Sequence, residues 1–394
     1  MPGSIILDVL LCLLLLTYTI YGFRAGFALS LAGIVGFVVG AIAAFFAIPL
    51  VAGWVSASQW RLPAIIGAII LLIGGGQAIG VALGRLIRRQ VNKSPLRTLD
   101  RVLGAAVTLV VAAIVTSMLA FSLGSLGVPF VSQAIGSSAV VTTIDRITPD
   151  PIKSLEATVR SLVAQDGLPR LFDAIGTGAP VAVPSDGTVT AAQQAAAQSV
   201  VKIVGNAYQC GQNQSGSGFV VSAGRVVTNA HVVAGVSEPV VESQGGGAWP
   251  GRVVYFDTAN DLAVLAVPGL PTSPLSLGTD LGTGAKAVFD GYPLGGPFRS
   301  GPAAVQSVST VEVPDIYGAN PSPREVYYLA ADVQEGNSGG PLLDSGGRVA
   351  GVVFAKSATA QHLGFAMTTG VLRPVVSQAP GLSAAVSSGY CTKG

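Results

Sequence analysis

The stretch QEGNSGGPLLD, residues 334–344, decides how this chain is read. Ser338 stands between Asn337 and the pair Gly339–Gly340, with Gly336 two positions before it. Gly-Asn-Ser-Gly is also ordinary turn composition. A serine hydroxyl becomes a nucleophile only when a neutral imidazole takes its proton, and the imidazole needs a carboxylate to hold it. The reading therefore turns on whether a base and an acid occur elsewhere in a compatible setting.

Both occur upstream. His231 lies in VVTNAHVV (226–233) and Asp261 in NDLAVL (260–265), so the order along the chain is base, orienting acid, nucleophile. Around them run short β-branched segments: SVVKIVG (199–205), GSGFVVSAGRVV (216–227), RVVYFD (252–257), AKAVFDGYP (285–293), PAAVQSVSTVEV (302–313), EVYYLAADV (325–333) and RVAGVVFAK (348–356). Such strands, separated by turn residues, predict an all-β barrel or sandwich. Singly, Ser338 reads as a turn serine, His231 as a core histidine and Asp261 as a turn residue. Together, in this order on a β-rich background, they read as a catalytic triad. The backbone amides of the Gly336-Asn337-Ser338 segment would form the oxyanion hole, those of Gly336 and Ser338 pointing into it.

Composition divides the chain. Of 394 residues 50% are hydrophobic and 11% charged, against about 25% charged in typical soluble domains. The deficit is concentrated in the first third, where four apolar runs, at 4–22, 27–48, 62–84 and 103–124, approach the roughly 20 residues of a membrane crossing. The first lacks the basic start of a cleavable signal and is followed by further spans. RLIRRQVNKSPLRTLDR (85–101) puts six Lys or Arg residues between the third and fourth runs, which makes that loop cytoplasmic by the positive-inside rule. Arg24 lies on the same face, so the chain after 124 is expected outside the cytoplasm. Gly36 and Gly40, and Gly76, Gly80 and Gly84, recur four apart and predict close helix packing within the bundle. Asp8 and Gln77 are polar residues near or within the runs.

The expected three parts are thus a four-helix transmembrane domain at 1–127, an extracytoplasmic helical segment and linker at 128–195, and a β-rich domain carrying the triad at 196–394. The linker end, GTGAPVAVPSDGTVTAAQQAAA (176–197), is rich in Gly, Pro, Ala and Thr. A net charge of +2, without a basic patch interleaved with aromatics, gives no ground for nucleic-acid binding. The two histidines and three cysteines show no metal-ligand spacing, so no metal and no cofactor is expected. Cys210 and Cys391 fall on the oxidising side and are expected to form a disulfide, while Cys12 lies in a span.

TNAHVV, NDLAVL, GYPLGGP (291–297) and GNSGGPL (336–342) resemble the matching segments of trypsin-like serine proteases, most closely the bacterial HtrA-type branch. The resemblance implies a chymotrypsin-like double β-barrel of two six-stranded barrels, with the site between them and peptide or protein substrates. The membrane part resembles the colicin V production family. The combination is similar to membrane-anchored acid-resistance proteases of mycobacteria and related actinobacteria, which implies envelope substrates, a periplasmic protease domain and a role in acid or oxidative stress. By offset from Ser338, Asp332 matches the residue that floors the specificity pocket in trypsins, but the segment lacks the cysteine that fixes this loop there, so the alternative reading is a structural or loop carboxylate. Ala355, His362 and Gly364 are the other candidates for that pocket, with His362 also readable as an exposed loop histidine. The contrasting reading is a catalytically silent barrel serving as a sensor or binding module.

Overall fold

The computed structural model describes residues 2–54, 58–91, 96–124, 129–149, 151–152, 170–171, 182–184, 189–207 and 212–392. Two compact units emerge, one spanning Asp8–Ser117 and the other joining Met1–Leu7 to Met118–Gly394.

The first unit is helical. Helices α1 (Pro2–Ala25), α2 (Phe27–Trp54), α3 (Ser58–Val91) and α4 (Arg97–Gly124) are each long and apolar enough to cross a membrane. The glycine pattern does what its spacing predicts. A Cβ on Gly36 would meet the Gly76 carbonyl oxygen at 2.3 Å, and one on Gly80 would meet that of Ala32 at 2.2 Å. Helices α2 and α3 therefore cross backbone to backbone, a contact that only the smallest side chains permit. Gly22 of α1 and Gly104 of α4 repeat the device, each Cβ position 2.5 Å from the other's carbonyl oxygen. At the turn between α1 and α2, Asp100 is buried and accepts a hydrogen bond from the Ala28 amide at 3.1 Å. It satisfies one of the otherwise unpaired donors at the start of α2.

In the second unit, α5 (Pro129–Gly136) and α6 (Ala139–Ile147) precede two curled sheets. The Gly136 carbonyl accepts from the Gly247 amide at 2.8 Å, which lays α5 on the first sheet. That sheet has seven strands in the order β6-β5-β2-β3-β4-β8-β7. They are β2 (Val200–Ala207), β3 (Gln212–Ser222), β4 (Arg225–Thr228), β5 (Val240–Ser243), β6 (Ala248–Pro250), β7 (Arg252–Asp257) and β8 (Leu262–Ala266). The capping box of α7 (Ala191–Ala197), made by Thr190 and Gln193, starts the chain into β2.

The second sheet closes on itself. Strands β9 (Lys286–Gly291), β10 (Arg299–Val313), β11 (Ser322–Ala330), β12 (Pro341–Leu343), β13 (Val349–Ser357) and β14 (Leu363–Thr368) run β13-β12-β9-β10-β11-β14, and β14 pairs back with β13. This is the six-stranded barrel that the resemblance implies. A seventh, two-residue strand, β1 (Arg170–Leu171), adds to β13. Closure removes the exposed edges that an open sheet would present. One packed cluster joins the two sheets, uniting Phe219, Leu262 and Val264 with Val326, Phe354, Phe365 and Met367. Burying such aliphatic and aromatic side chains stabilises each by about 1.5–3 kcal/mol.

Five strands went unmarked in the sequence. These are β1, which falls in the segment expected to be helical, β5 and β6, which form a glycine-rich hairpin, and β12 and β14, which are only three and six residues long. The closing helix, α8 (Thr369–Gln378), is another.

Candidate active site

His231 sits on a single helical turn, Ala230–Val233, at the end of β4. Asp261 occupies the turn between β7 and β8. That turn is built by Asp257, whose carboxylate accepts from the amides of Ala259 and Asn260, both at 3.0 Å. The turn leaves Asp261 in left-handed backbone geometry, φ +52°, a conformation aspartate tolerates better than most residues. Both carboxylate oxygens then engage His231. Oδ1 accepts from the His231 amide at 2.9 Å, and Oδ2 meets ring Nδ1 at 2.7 Å. Asn229 Nδ2 donates to the Asp261 carbonyl at 2.8 Å and locks the two turns together. With Nδ1 held by a buried carboxylate, Nδ1 keeps its proton and Nε2 is the nitrogen left to act as a base.

Ser338 is buried at 2% exposure. Its Oγ and His231 Nε2 are both buried, and neither is hydrogen-bonded to another group among the described residues. The loop around the serine is fixed peptide by peptide. The Glu335 carbonyl accepts from the Leu294 amide at 2.5 Å, and the Asn337 carbonyl from the Gly340 amide at 2.9 Å. Peptides are trans, so the amides of Gly336 and Ser338 point opposite to those carbonyls. Neither amide donates to any group among the described residues. The Asn337 amide does not join them. It donates to the Gln334 carbonyl at 3.0 Å, so Asn337 leaves the oxyanion set expected from the sequence. Asn337 Oδ1 in turn accepts from the Gln334 amide at 2.9 Å and closes the loop internally. Gly336 has φ +87°, and a Cβ there would lie 2.3 Å from the Tyr292 carbonyl oxygen. Only glycine fits.

Ser217 was not singled out in the sequence, yet it ties these parts together. Its amide donates to the Ser338 carbonyl at 2.8 Å, and its Oγ donates to the Gly336 carbonyl at 2.6 Å. The same Oγ accepts from the Tyr292 amide at 2.9 Å, and the Ser217 carbonyl accepts from Thr228 Oγ1 at 2.7 Å. The available signal was a polar residue flanked by two glycines inside a strand, Gly216-Ser217-Gly218, where the lack of side chains leaves room for a close approach.

The pocket candidates separate. Asp332 does not floor a buried pocket. Its side chain is 63% exposed and pairs with His362, itself 57% exposed. Just past the end of β11, Ala331 and Val333 are buried while Asp332 between them is exposed. Val333, Ala355 and Gly364 are instead buried and packed together. A Cβ on Gly364 would meet Val333 Cγ2 at 2.3 Å, so the glycine leaves the space that the valine fills. Glu335 and Lys356 face each other nearby at 3.9 Å.

Beneath the serine loop lies a buried carboxyl, Asp290 on β9. A Cβ on Gly340 would meet the Asp290 carbonyl oxygen at 2.1 Å. Among the described residues neither side-chain oxygen has a hydrogen-bond partner within normal distance. Burial pushes this carboxyl up to about 7, and the Ser300 hydroxyl across the strand pair offsets only part of that cost.

The C-terminal tail returns to the histidine. The Gly235 amide donates to the Ser388 carbonyl at 3.0 Å, and Cys391 Sγ packs on Gly235 in the turn after His231. Cys391 is disulfide-bonded and Cys12 is free. The expected partner, Cys210, lies outside the described residues. Among the described residues no cluster of metal-binding side chains occurs.

Residues 216–352 match the trypsin-like peptidase domain family, and residues 7–149 match the colicin V production protein family. Over 391 residues, 98% of each chain, the sequence is 36% identical to serine protease Rv3671c of Mycobacterium tuberculosis strain H37Rv. It is 33% identical over 162 residues to the serine protease Do-like HtrB of Bacillus subtilis, covering 39% of this chain and 35% of that protein. The crystal structure of Rv3671c protease in its active form aligns with a TM-score of 0.54 at 38% identity, covering 58% of this chain and all of that one.

Proposed function

The chain belongs to the family of trypsin-like, HtrA-like serine proteases that includes Rv3671c, and from that premise we propose how it works and where. Ser338 is the nucleophile, His231 the general base and Asp261 the orienting acid. His231 Nε2 takes the Ser338 proton as Oγ attacks a peptide carbonyl, and Asp261 stabilises the imidazolium that forms. The Gly336 and Ser338 amides bind the oxyanion, and the proton then passes to the leaving amine. The observation that carries the reading is the two-point grip of Asp261 on the His231 amide and Nδ1, at 2.9 and 2.7 Å. A carboxylate that served only as a turn residue would have no reason to select one ring nitrogen.

The subsite next to Ser338 takes an apolar side chain: the packed residues Val333, Ala355 and Gly364 carry no charge, and Asp332 faces water. The protease part lies outside the cytoplasm, opposite the basic loop between α3 and α4. There Cys391 pairs with Cys210, and the substrates are envelope proteins. The acid-stress role implied by the family resemblance fits a domain whose buried Asp290 favours the folded state at lower pH. Purified chain should hydrolyse an extended apolar peptide, and Ser338→Ala should abolish this while preserving the fold. Hydrolysis by the variant near the wild-type rate would overturn the assignment.

A further inference from the structure

Strand β13 has two edges. Along one it pairs with β14, from Gly351↔Thr368 to Lys356↔Gly364. Along the other it pairs with β12 as far as Val352. The next residue, Val353, then bonds the serine loop itself: its amide donates to the Gly340 carbonyl at 3.0 Å, and its carbonyl accepts from the Gly339 amide at 2.8 Å. Beyond Val353 this second edge is the backbone that continues directly from the nucleophile's loop. An extended peptide presented to Ser338 has this edge to pair with, by adding a strand to the sheet.

That edge is already occupied by the chain itself. Strand β1 pairs with β13 in parallel, Arg170 opposite Lys356 and Leu171 opposite Ser357. Lys356 has Gly364 on its β14 side, so Arg170 must lie on the other side, the one that leads to Ser338. At about 3.3 Å per residue, Lys356 stands about 10 Å along the strand from Val353. That is within the reach of the residues flanking a bond under attack.

Direction matters as much as position. The leaving amine must face His231, which belongs to the first sheet, so the acyl half of a substrate lies along β13 in the second. A substrate's acyl half ends at the nucleophile, so it runs toward Ser338, antiparallel to β13. Strand β1 runs parallel and leads away. In this orientation the chain occupies the edge without presenting a bond for cleavage.

We propose that Arg170–Leu171 is a tethered, reversed occupant of the substrate edge, which competes with peptide substrates for β13. The inference rests on the assignment of Ser338 as nucleophile. Occupancy needs little intrinsic affinity, because the tether supplies a high local concentration.

The test uses the full-length chain in detergent and compares wild type with Arg170→Pro/Leu171→Pro, which removes both amide donors from the strap. An edge occupied three quarters of the time raises the apparent KM about fourfold. The variant should therefore show a KM lower by about that factor for an apolar tetrapeptide substrate, with kcat unchanged. Hydrogen exchange of the backbone around residues 354–358 should also speed up. A fluorophosphonate, too small to need the edge, should label both proteins at the same rate and reports that the site is intact. Equal KM values and equal exchange, with labelling intact, would overturn the strap. Absence of labelling and hydrolysis in both proteins would instead remove the assignment of Ser338 on which it rests.

Discussion

Replacing Asp290 by asparagine should stabilise the protease region, and only at neutral to alkaline pH. The residue is 1% exposed, and among the described residues its carboxyl has only partial compensation, from the Ser300 hydroxyl. Burial moves its titration from 3.8 to about 7. Below pH 4 it is protonated both folded and unfolded, and costs nothing. Above pH 7 it is ionised in both states, and the folded protein carries the full cost of a buried charge. Between these limits the folded state binds more protons than the unfolded one, so stability falls as pH rises. A span of about three pH units at about 1.4 kcal/mol each gives a cost on the order of 4 kcal/mol at pH 8. Asparagine keeps the shape and cannot ionise. For a region of this size the gain corresponds to a Tm rise of about 10 °C at pH 8, and to almost none at pH 4. Thermal unfolding of the β-rich region at the two pH values measures the difference. Equal shifts at both, or no shift at pH 8, would show that the carboxyl is solvated or paired and refute the reasoning.

Other expectations follow from individual contacts. Ser217→Ala removes the hydroxyl that holds the Gly336 carbonyl and the Tyr292 amide, so kcat should fall about 10- to 100-fold through a disordered oxyanion loop. Stability should drop by only about 1–3 kcal/mol, and peptide kinetics with a melting curve would separate the two effects. Gly336→Ala forces a Cβ against the Tyr292 carbonyl at a positive φ, and should lower kcat by about 100-fold or more. Cys391→Ser should release the tail from the turn after His231 and lower stability by up to about 5 kcal/mol, the cross-link model's limit for a loop of this length. Intact mass under non-reducing conditions, finding both Cys210 and Cys391 as free thiols in oxidised protein, would exclude that bond.

Much of this architecture was legible because it is periodic or locally punctuated. Apolar runs of membrane length, glycines four apart and β-branched strands between turn residues each carry a signal within a few residues of itself. The segments holding His231, Asp261 and Ser338 were readable for the same reason. What escaped the sequence depends on partners far along the chain. Ser217 acts through carbonyls and amides more than 70 residues away, and no side-chain pattern records that. Counting six residues back from Ser338 finds Asp332 but not the direction it faces. Its partner His362 is brought beside it by the antiparallel pairing of β11 with β14, where Ala330 lies opposite Leu363. Asn337 belongs to the right loop, but its amide is used to close it.

The central claim is that Ser338 is a nucleophile activated by His231. Reaction of the folded chain with a fluorophosphonate, followed by peptide mass spectrometry, tests it most directly. The account predicts one adduct, on Ser338, formed by the wild type and suppressed by His231→Ala. An unlabelled Ser338 in folded wild-type protein, or equal labelling in the His231→Ala variant, would contradict it.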